Sequence, residues 1–372
     1  MKFSIAAAVL TGLALVGNAV ADCECGYSVN ATDSEHYAVF TDLLESDFTS
    51  LSSITADTDW RPQEWKMDAL KSRGQFGRST EVENVISNPE KKKGSGIGKN
   101  GGEAGLELWA RAPEAGDEHV RVGEVASSRE DIIFASIRAG IKPTTVNGTC
   151  GAFFWYFNDT QEIDMELLSR EFNQNKNLNL VLHSPLSLSN GGDASTTPTF
   201  QKVEIGFNPS DTFHEYRFDW TKEYVAFFID GKRIAVFTQK EFIPSVPGKI
   251  ILSHWSNGEP SWSAGPPAED AKMVVSYVKA YFNSSDPDRQ KKHQSRCKGA
   301  DGPNTVCLIP DQLVPPRSDV ATEQEGKPYF FSQDPLGDKV KGQLVYGNTA
   351  ATKTGMSFLA LAAGLGASML LF

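Results

Sequence analysis

The residues of this chain whose types and spacing could do chemistry are Glu162, Asp164 and Glu166, alternate positions of the run Glu162-Ile163-Asp164-Met165-Glu166. In an extended strand alternate side chains share a face. The acids would then stand together, with Ile163 and Met165 on the other side. Like charges held this close repel and raise one another's pKa, which a purely structural strand avoids. Chemistry that needs one ionised and one protonated carboxyl uses it. The aromatic run Phe153-Phe154-Trp155-Tyr156-Phe157 precedes the acids. In an antiparallel hairpin around Asn158-Asp159-Thr160, the simplest register opposes Tyr156 to Glu162 and Phe154 to Asp164, and cross-strand partners share a face. A bulge would bring Trp155 there instead and send Tyr156 into the core. Aromatic faces beside carboxylates suit sugars, whose rings stack on them while the acids reach the glycosidic oxygen. Retaining glycosidases use two carboxyls about 5–5.5 Å apart, and inverting ones a wider gap. On an extended strand the Cα atoms of Glu162 and Glu166 lie roughly 13 Å apart, so strand curvature sets the tip separation and spacing alone does not choose between the two.

The elements that must position these acids read as short strands divided by turn residues. They include Gly105–Trp109, Ile132–Arg138, Leu178–His183, Val203–Phe207, Glu215–Trp220, Tyr224–Ile229, Arg233–Thr238 and Met273–Tyr281. Asp230-Gly231 between two β-rich runs is a hairpin signal. Many short strands at regular spacing predict an all-β, two-sheet sandwich. Residues 81–102, with Lys91–Lys93 followed by glycines, read as an exposed loop. No internal repeat of solenoid or propeller type is present. The chain of 372 residues has a net charge of −11, and that acidity argues against nucleic acid as a partner.

Both ends carry apolar runs. Lys2, the run Ile5–Val16 and Ala19-Val20-Ala21 form a signal-peptide pattern spanning residues 1–21, and the run is too short to cross a bilayer. Small residues at 347–351, a short spacer and the apolar tail Ser357–Phe372 form the pattern of a glycolipid (GPI) anchor signal over 348–372, with Asn348 as the attachment residue and Gly347 beside it. A plain tail anchor is the rival reading. Four Asn-x-Ser/Thr sites, Asn30, Asn147, Asn158 and Asn283, agree with secretion. Five cysteines in an oxidising compartment suggest two disulfides and one odd thiol. Cys297 with Cys307 would close a local loop, and Cys150 with Cys23 or Cys25 would pin the N-terminus to a sheet. Residues 22–33 read as a leader, 34–285 as the sandwich, and 286–347 as a polar, partly disordered stalk.

Three ordered motifs carry a family resemblance. Glu162-Ile-Asp-Met-Glu166 with its flanking Phe-Phe-Trp-Tyr and Leu-Leu-Ser, then Phe213-His-Glu-Tyr-Arg-Phe-Asp-Trp220 with Phe227-Phe-Ile-Asp-Gly231, then Ser253-His-Trp-Ser-Asn-Gly258 with Trp262, closely resemble glycoside hydrolase family 16 over residues 34–283. The resemblance implies a concanavalin A-like β-jelly-roll sandwich of two curved antiparallel sheets with an open cleft. It implies retaining chemistry on β-linked glucans, with Glu162 as nucleophile, Asp164 as helper and Glu166 as acid/base. This chain has one residue between Asp164 and Glu166, unlike branches with two residues and a bulge there. The resemblance also puts Arg138, Phe154, Tyr156, His214, Trp255 and Trp262 in or near the cleft. Arg138 as a surface ion pair and His214 as a hydrogen-bonded structural histidine remain the bland alternatives. Trp255 and Trp262, beside or within the Gly/Pro/Ser-rich loop 256–267, favour sugar stacking, Trp220 belongs to the core, and His183 is structural or at the cleft edge. No cofactor is required. A structural calcium ion, seen in many relatives, has no visible ligand set.

The leading expectation is a monomeric surface-anchored β-glucanase acting on β-1,3 or mixed β-1,3/1,4 linkages. Two alternatives stand beside it. A transglycosylase would pass the glycosyl-enzyme to another chain and cross-link a wall. A lectin-like module would keep the sandwich without the chemistry, and three crowded acids argue against it.

Overall fold

A computed structural model describes residues 23–29, 37–298 and 306–332. The expected signal peptide, the anchor signal, Asn30 and Asn348 lie outside the described residues. Among those described, no helix is long and apolar enough to cross a membrane.

The molecule is a sandwich of two mostly antiparallel sheets in the jelly-roll manner. The first carries the acidic strand. Its strands run Phe200–Glu204, Asn177–His183, Gln161–Leu168, Cys150–Asn158, Lys249–Trp255, His119–Ser127 and Trp60–Pro62. The second runs Lys232–Phe237, Val225–Ile229, His214–Trp220, Ile132–Lys142 and Ala271–Ser284. Asp42–Asp47 and Gly105–Ala110 both pair with Ala271–Ser284, along different parts of its length. The layers join at His119–Ser127. Its first residues pair in the second sheet with Gly77–Thr80, and its last pair in the first with Lys249–Trp255.

Period-two alternation builds the core between them. From the first sheet come Phe153, Trp155, Ile163, Met165, Leu180, Leu182, Ile250 and Leu252; from the second come Ile137, Ala139, Tyr216, Phe218, Trp220 and Phe227. Trp155 meets Trp220 at 4.3 Å between ring centroids, and Phe153 meets Phe218 at 5.3 Å. Both indoles keep their N–H satisfied, Trp155 on Ile132 O and Trp220 on Pro244 O. These stacks press the sheet that carries the acids against a rigid partner.

Several expectations are corrected. Val203–Phe207 is displaced to Phe200–Glu204, because the chain turns at Gly206 with φ 77°. The loop 81–102 contains a strand, Val85–Asn88, paired with Gly105–Ala110, although Lys91–Lys93 are exposed. The leader contains the strand Gly26–Val29, paired with Ala38–Phe40 and Val306–Leu308. The disulfides are Cys23–Cys307 and Cys25–Cys297, and Cys150 is a buried free thiol. The local Cys297–Cys307 loop is therefore absent, and each bridge instead ties one end of the described chain to the other.

The stalk is corrected most. Its described residues are folded: Pro287–Lys298 is a helix, and 306–332 lie as a strap over the outer face of the second sheet. The sequence hides this because the strap covers charge rather than an apolar stripe. Arg138, Arg217, Glu215 and Lys279 point outward from that sheet and are buried beneath it. Pro310 O accepts from Arg138, Asp311 pairs with Arg217, and Phe330 packs edge-on against Tyr277. Asp230-Gly231 forms the expected tight hairpin turn, with φ of 45° and 72°.

Candidate active site

The hairpin of Cys150–Asn158 with Gln161–Leu168 adopts the simple register: Tyr156 opposes Glu162 and Phe154 opposes Asp164. The irregularity falls at Phe157, beyond the acids, so Trp155 stays in the core. Three cross-strand rows follow on the outer face of the first sheet. One is Lys249–Tyr156–Glu162–His183, the next Ile251–Phe154–Asp164–Val181, and the third Ser253–Ala152–Glu166–Asn179. Glu162, Asp164 and Glu166 thus share a face and point away from the core. Asp164 is 4% exposed, while Glu162 and Glu166 are half-buried.

Asp164 lies within hydrogen-bonding reach of Glu162. Its Oδ2 has no hydrogen-bond partner and stands 3.7 Å from His183 Nε2. Burial pushes all three acids above the ordinary carboxylate range; the charges of Glu162 and Glu166 raise Asp164 further, and that of Glu166 also raises Glu162. The effect is strongest at Asp164, which sits between two glutamates without a cation of its own. Glu166 differs. It accepts hydrogen bonds from the Cys150 thiol and the Trp262 indole, and the guanidiniums of Arg78 and Arg73 favour its charged form. Asp164, the most raised of the three, holds its proton most tightly and donates it to Glu162. Burial, then the charge of Arg73, lowers His183 to about 4.

The aromatic lining is built from several elements. Phe154 and Tyr156 meet edge to face at 6.4 Å, and the Tyr156 hydroxyl donates to Asp159. Trp255 ends its strand opposite Cys150. Trp255, Trp262 and Phe154 pack over Cys150, Ala152 and Leu168. The loop that carries Trp262 is held by Arg170, which donates to Pro260 O and Ser261 O, and by Asn257, which donates to Ser72 O.

Two expected cleft residues are elsewhere. Arg138 belongs to the second sheet and is fully buried under the strap, where it donates to Pro310 O at 2.7 Å. His214 is also in the second sheet, stacked on Phe207 at 4.0 Å and bonded to Asp230 Oδ2 at 2.6 Å. It is the hydrogen-bonded structural histidine of the bland alternative. Asn147 and Asn158 are exposed, and Asn283 is half-buried and accepts from Thr41 Oγ1.

The sequence reading missed Arg78 and Glu124. Arg78 lies over Trp255 at 4.8 Å and Trp65 at 5.3 Å, close enough to Glu166 to influence it. Glu124 accepts from Trp65 Nε1 at 3.1 Å and is raised by burial. Both arrive through the crossing strand His119–Ser127 and its neighbour Gly77–Thr80, and no local pattern marks them. A cavity of about 1230 Å³ carries none of the candidate residues. It lies between residues 89–104 and the strap at 316–330.

The fold and the shared face of acids and aromatics define a sugar-processing sandwich protein. The profile of glycosyl hydrolases family 16 matches residues 87–279, and the chain belongs to that family. It is 27% identical over 168 residues to "Congo red hypersensitive protein 2" of Saccharomyces cerevisiae, covering 41% of this chain and 34% of the yeast protein. It is 26% identical over 227 residues to a "Beta-glucanase" of Paenibacillus polymyxa, covering 58% and 83%. The match thus spans about a third of the yeast relative's length and most of the bacterial one's. Among solved structures it is similar to a Bacillus licheniformis β-glucanase (TM-score 0.48, 17% identity, 64% and 97% covered) and to "Apo Crh5 transglycosylase" (TM-score 0.45, 20% identity, 66% and 85% covered).

Proposed function

We propose that the protein is a retaining endo-β-glucanase acting on β-1,3 or mixed β-1,3/1,4 glucans. The observation that carries this is the single face shared by Glu162, Asp164 and Glu166 with Phe154, Tyr156 and Trp262. The Glu162 carboxylate attacks the anomeric carbon while Glu166 gives its proton to the departing glycosidic oxygen. The C–O bond breaks and a glycosyl ester forms on Glu162. Glu166, now a carboxylate, takes a proton from water. The water oxygen bonds to the anomeric carbon, and the ester bond to Glu162 breaks. Asp164, buried and raised, keeps a proton directed at Glu162, which steadies that carboxylate before attack and as it leaves. Phe154, Tyr156, Trp255 and Trp262 provide stacking surface. No cofactor enters these steps.

The reading includes secretion and a glycolipid anchor at Asn348. Support comes from the two disulfides, which belong to an oxidising compartment.

The test compares the secreted chain with its Glu162→Gln variant on laminarin, lichenan and chitin oligomers, sizing the products. Shorter fragments from the wild type, lost at least about a thousandfold in the variant, support the reading. Products longer than the input replace hydrolysis with transglycosylation. Binding by both proteins without any product overturns the enzymatic reading.

A further inference from the structure

We propose that Glu162, Asp164 and His183 form a binding site for a divalent transition cation of the zinc class. Its occupancy would silence the acidic strand. The second statement rests on the reading of Glu162 as nucleophile; the first stands on geometry alone.

His183 lies directly opposite Glu162 on the neighbouring strand, so its ring shares the acids' face. One ligand atom each from Glu162, Asp164 and His183 lie within 4.8 Å of one another. The hydrogen bonds around the ring favour Nε2 as the available nitrogen. Ser187 Oγ stands 3.1 Å from His183 Nδ1 and donates its only proton to Ser184 O at 2.8 Å. With that proton on Ser184 O the hydroxyl accepts from the ring, which is the tautomer with the hydrogen on Nδ1 and the lone pair on Nε2. That lone pair faces Asp164 Oδ2 across 3.7 Å, and Oδ2 is buried with no hydrogen-bond partner. With the Asp164 proton directed at Glu162, Nε2 and Oδ2 remain facing acceptors with no donor between them, and a bound cation would displace that proton. An electron-pair acceptor fits there.

The donor set selects the ion. One imidazole nitrogen with two carboxylate oxygens suits zinc-class ions, whereas calcium and magnesium prefer oxygen alone. Ligands of a tetrahedral ion with bonds of ~2.0–2.1 Å stand roughly 3.3 Å apart, so small side-chain rotations close the site and leave a fourth position for water. Ser187 holds the ring as the outer partner of a ligating histidine does. A bound cation would engage Glu162 and Asp164 and block attack on a sugar.

The test uses the full secreted chain, stripped with EDTA and titrated calorimetrically with zinc chloride and, separately, calcium chloride. Zinc should bind one per chain and more tightly than calcium. His183→Gln should weaken zinc by about tenfold or more, and Ser187→Ala, which leaves every ligand in place, should also weaken it. Melting curves of both variants report that the fold is intact. Wild-type protein that takes up no zinc, His183→Gln that binds it as tightly, or calcium bound as well as zinc would each overturn the site. Laminarin turnover is followed alongside, with and without zinc, and then with EDTA. Turnover without zinc uptake overturns the cation site and leaves the glucanase reading. Zinc uptake lost in His183→Gln, with no turnover of any glucan, does the reverse.

Discussion

The Cys150 thiol donates to Glu166 Oε1 across 3.4 Å, on the same face as the acids. Burial and the adjacent Glu166 raise the Cys150 pKa well above its usual value, so the thiol keeps its proton and remains a donor. A donor to a carboxylate favours the ionised form and lowers its pKa. Cys150→Ala removes it, so Glu166 should hold its proton to higher pH. The descending limb of kcat/KM against pH should move up by as much as about one unit. Cys150→Ser restores a donor and should keep the limb at or below its wild-type position. A profile on lichenan for the three proteins checks this, and equal limbs would remove Cys150 from the tuning of Glu166.

The crowding of the acids has a stability consequence. A group whose folded pKa is raised contributes stability that is present below its unfolded pKa and lost as pH rises through the folded one. Glu162 and Asp164 are both raised, chiefly by burial. The wild type should therefore lose stability as pH climbs above the ordinary carboxylate range. Glu162→Gln and Asp164→Asn lack a titrating group there. Each should melt higher than the wild type at pH 7, by at least about 2 °C, with the advantage shrinking toward pH 4. A variant less stable at pH 7 than at pH 4, relative to wild type, would contradict the assigned shifts.

The sandwich and the acidic hairpin were legible because each depends on a short-range pattern. Alternation decides the face, and the turn Asn158-Asp159-Thr160 decides the register, so Tyr156 and Phe154 fall beside the acids as the spacing predicts. Residues delivered by long-range crossings were not legible. Arg78 reaches Glu166 only because Gly77–Thr80 pairs with the strand that joins the two sheets. His214 stands in a motif-bearing segment and Arg138 in an expected strand, yet both belong to the second sheet. The strap was hidden because it covers charged groups, and hydrophobic pattern carries no signal for such a surface. Cysteine count gave two bridges and one thiol, while the pairing depended on which ends the fold brings together.

Arg138 separates structural from catalytic roles. It is buried, donates to Pro310 O, and lies 4.0 Å from Glu215. Glu215 has two other partners, Lys279 at 3.3 Å and the Tyr277 hydroxyl at 2.8 Å. Removing one member of a buried charged network costs about 3–5 kcal/mol, so Arg138→Ala should lower the melting temperature by several degrees. Its kcat/KM per folded molecule at 25 °C should stay within about twofold of wild type, since no acid of the first sheet touches it. A large loss of turnover in a folded variant would return Arg138 to the substrate cleft.

The two disulfides make the last test, because they tie the helix Pro287–Lys298 and the strap rather than the site. Cys25–Cys297 and Cys23–Cys307 close sequence separations of 272 and 284 residues. Long closed loops restrict the unfolded chain most in the entropic account, and removal of a native bridge typically costs about 2–5 kcal/mol. The paired variant Cys25→Ser with Cys297→Ser should melt lower by more than about 4 °C. The remaining bridge still fastens the strand Val306–Leu308, and Asp311 still pairs with Arg217. Loss of the second bridge should therefore add to the first, and limited proteolysis should then cut within 306–332. Turnover below the melting transition should persist throughout, because the acidic strand is held by Trp155 on Trp220 and not by the strap. Cys150→Ser provides the control: it touches no bridge, so its melting temperature should stay near that of the wild type. Unchanged melting in the bridge variants would mean that ion pairs and aromatic packing alone keep the strap in place.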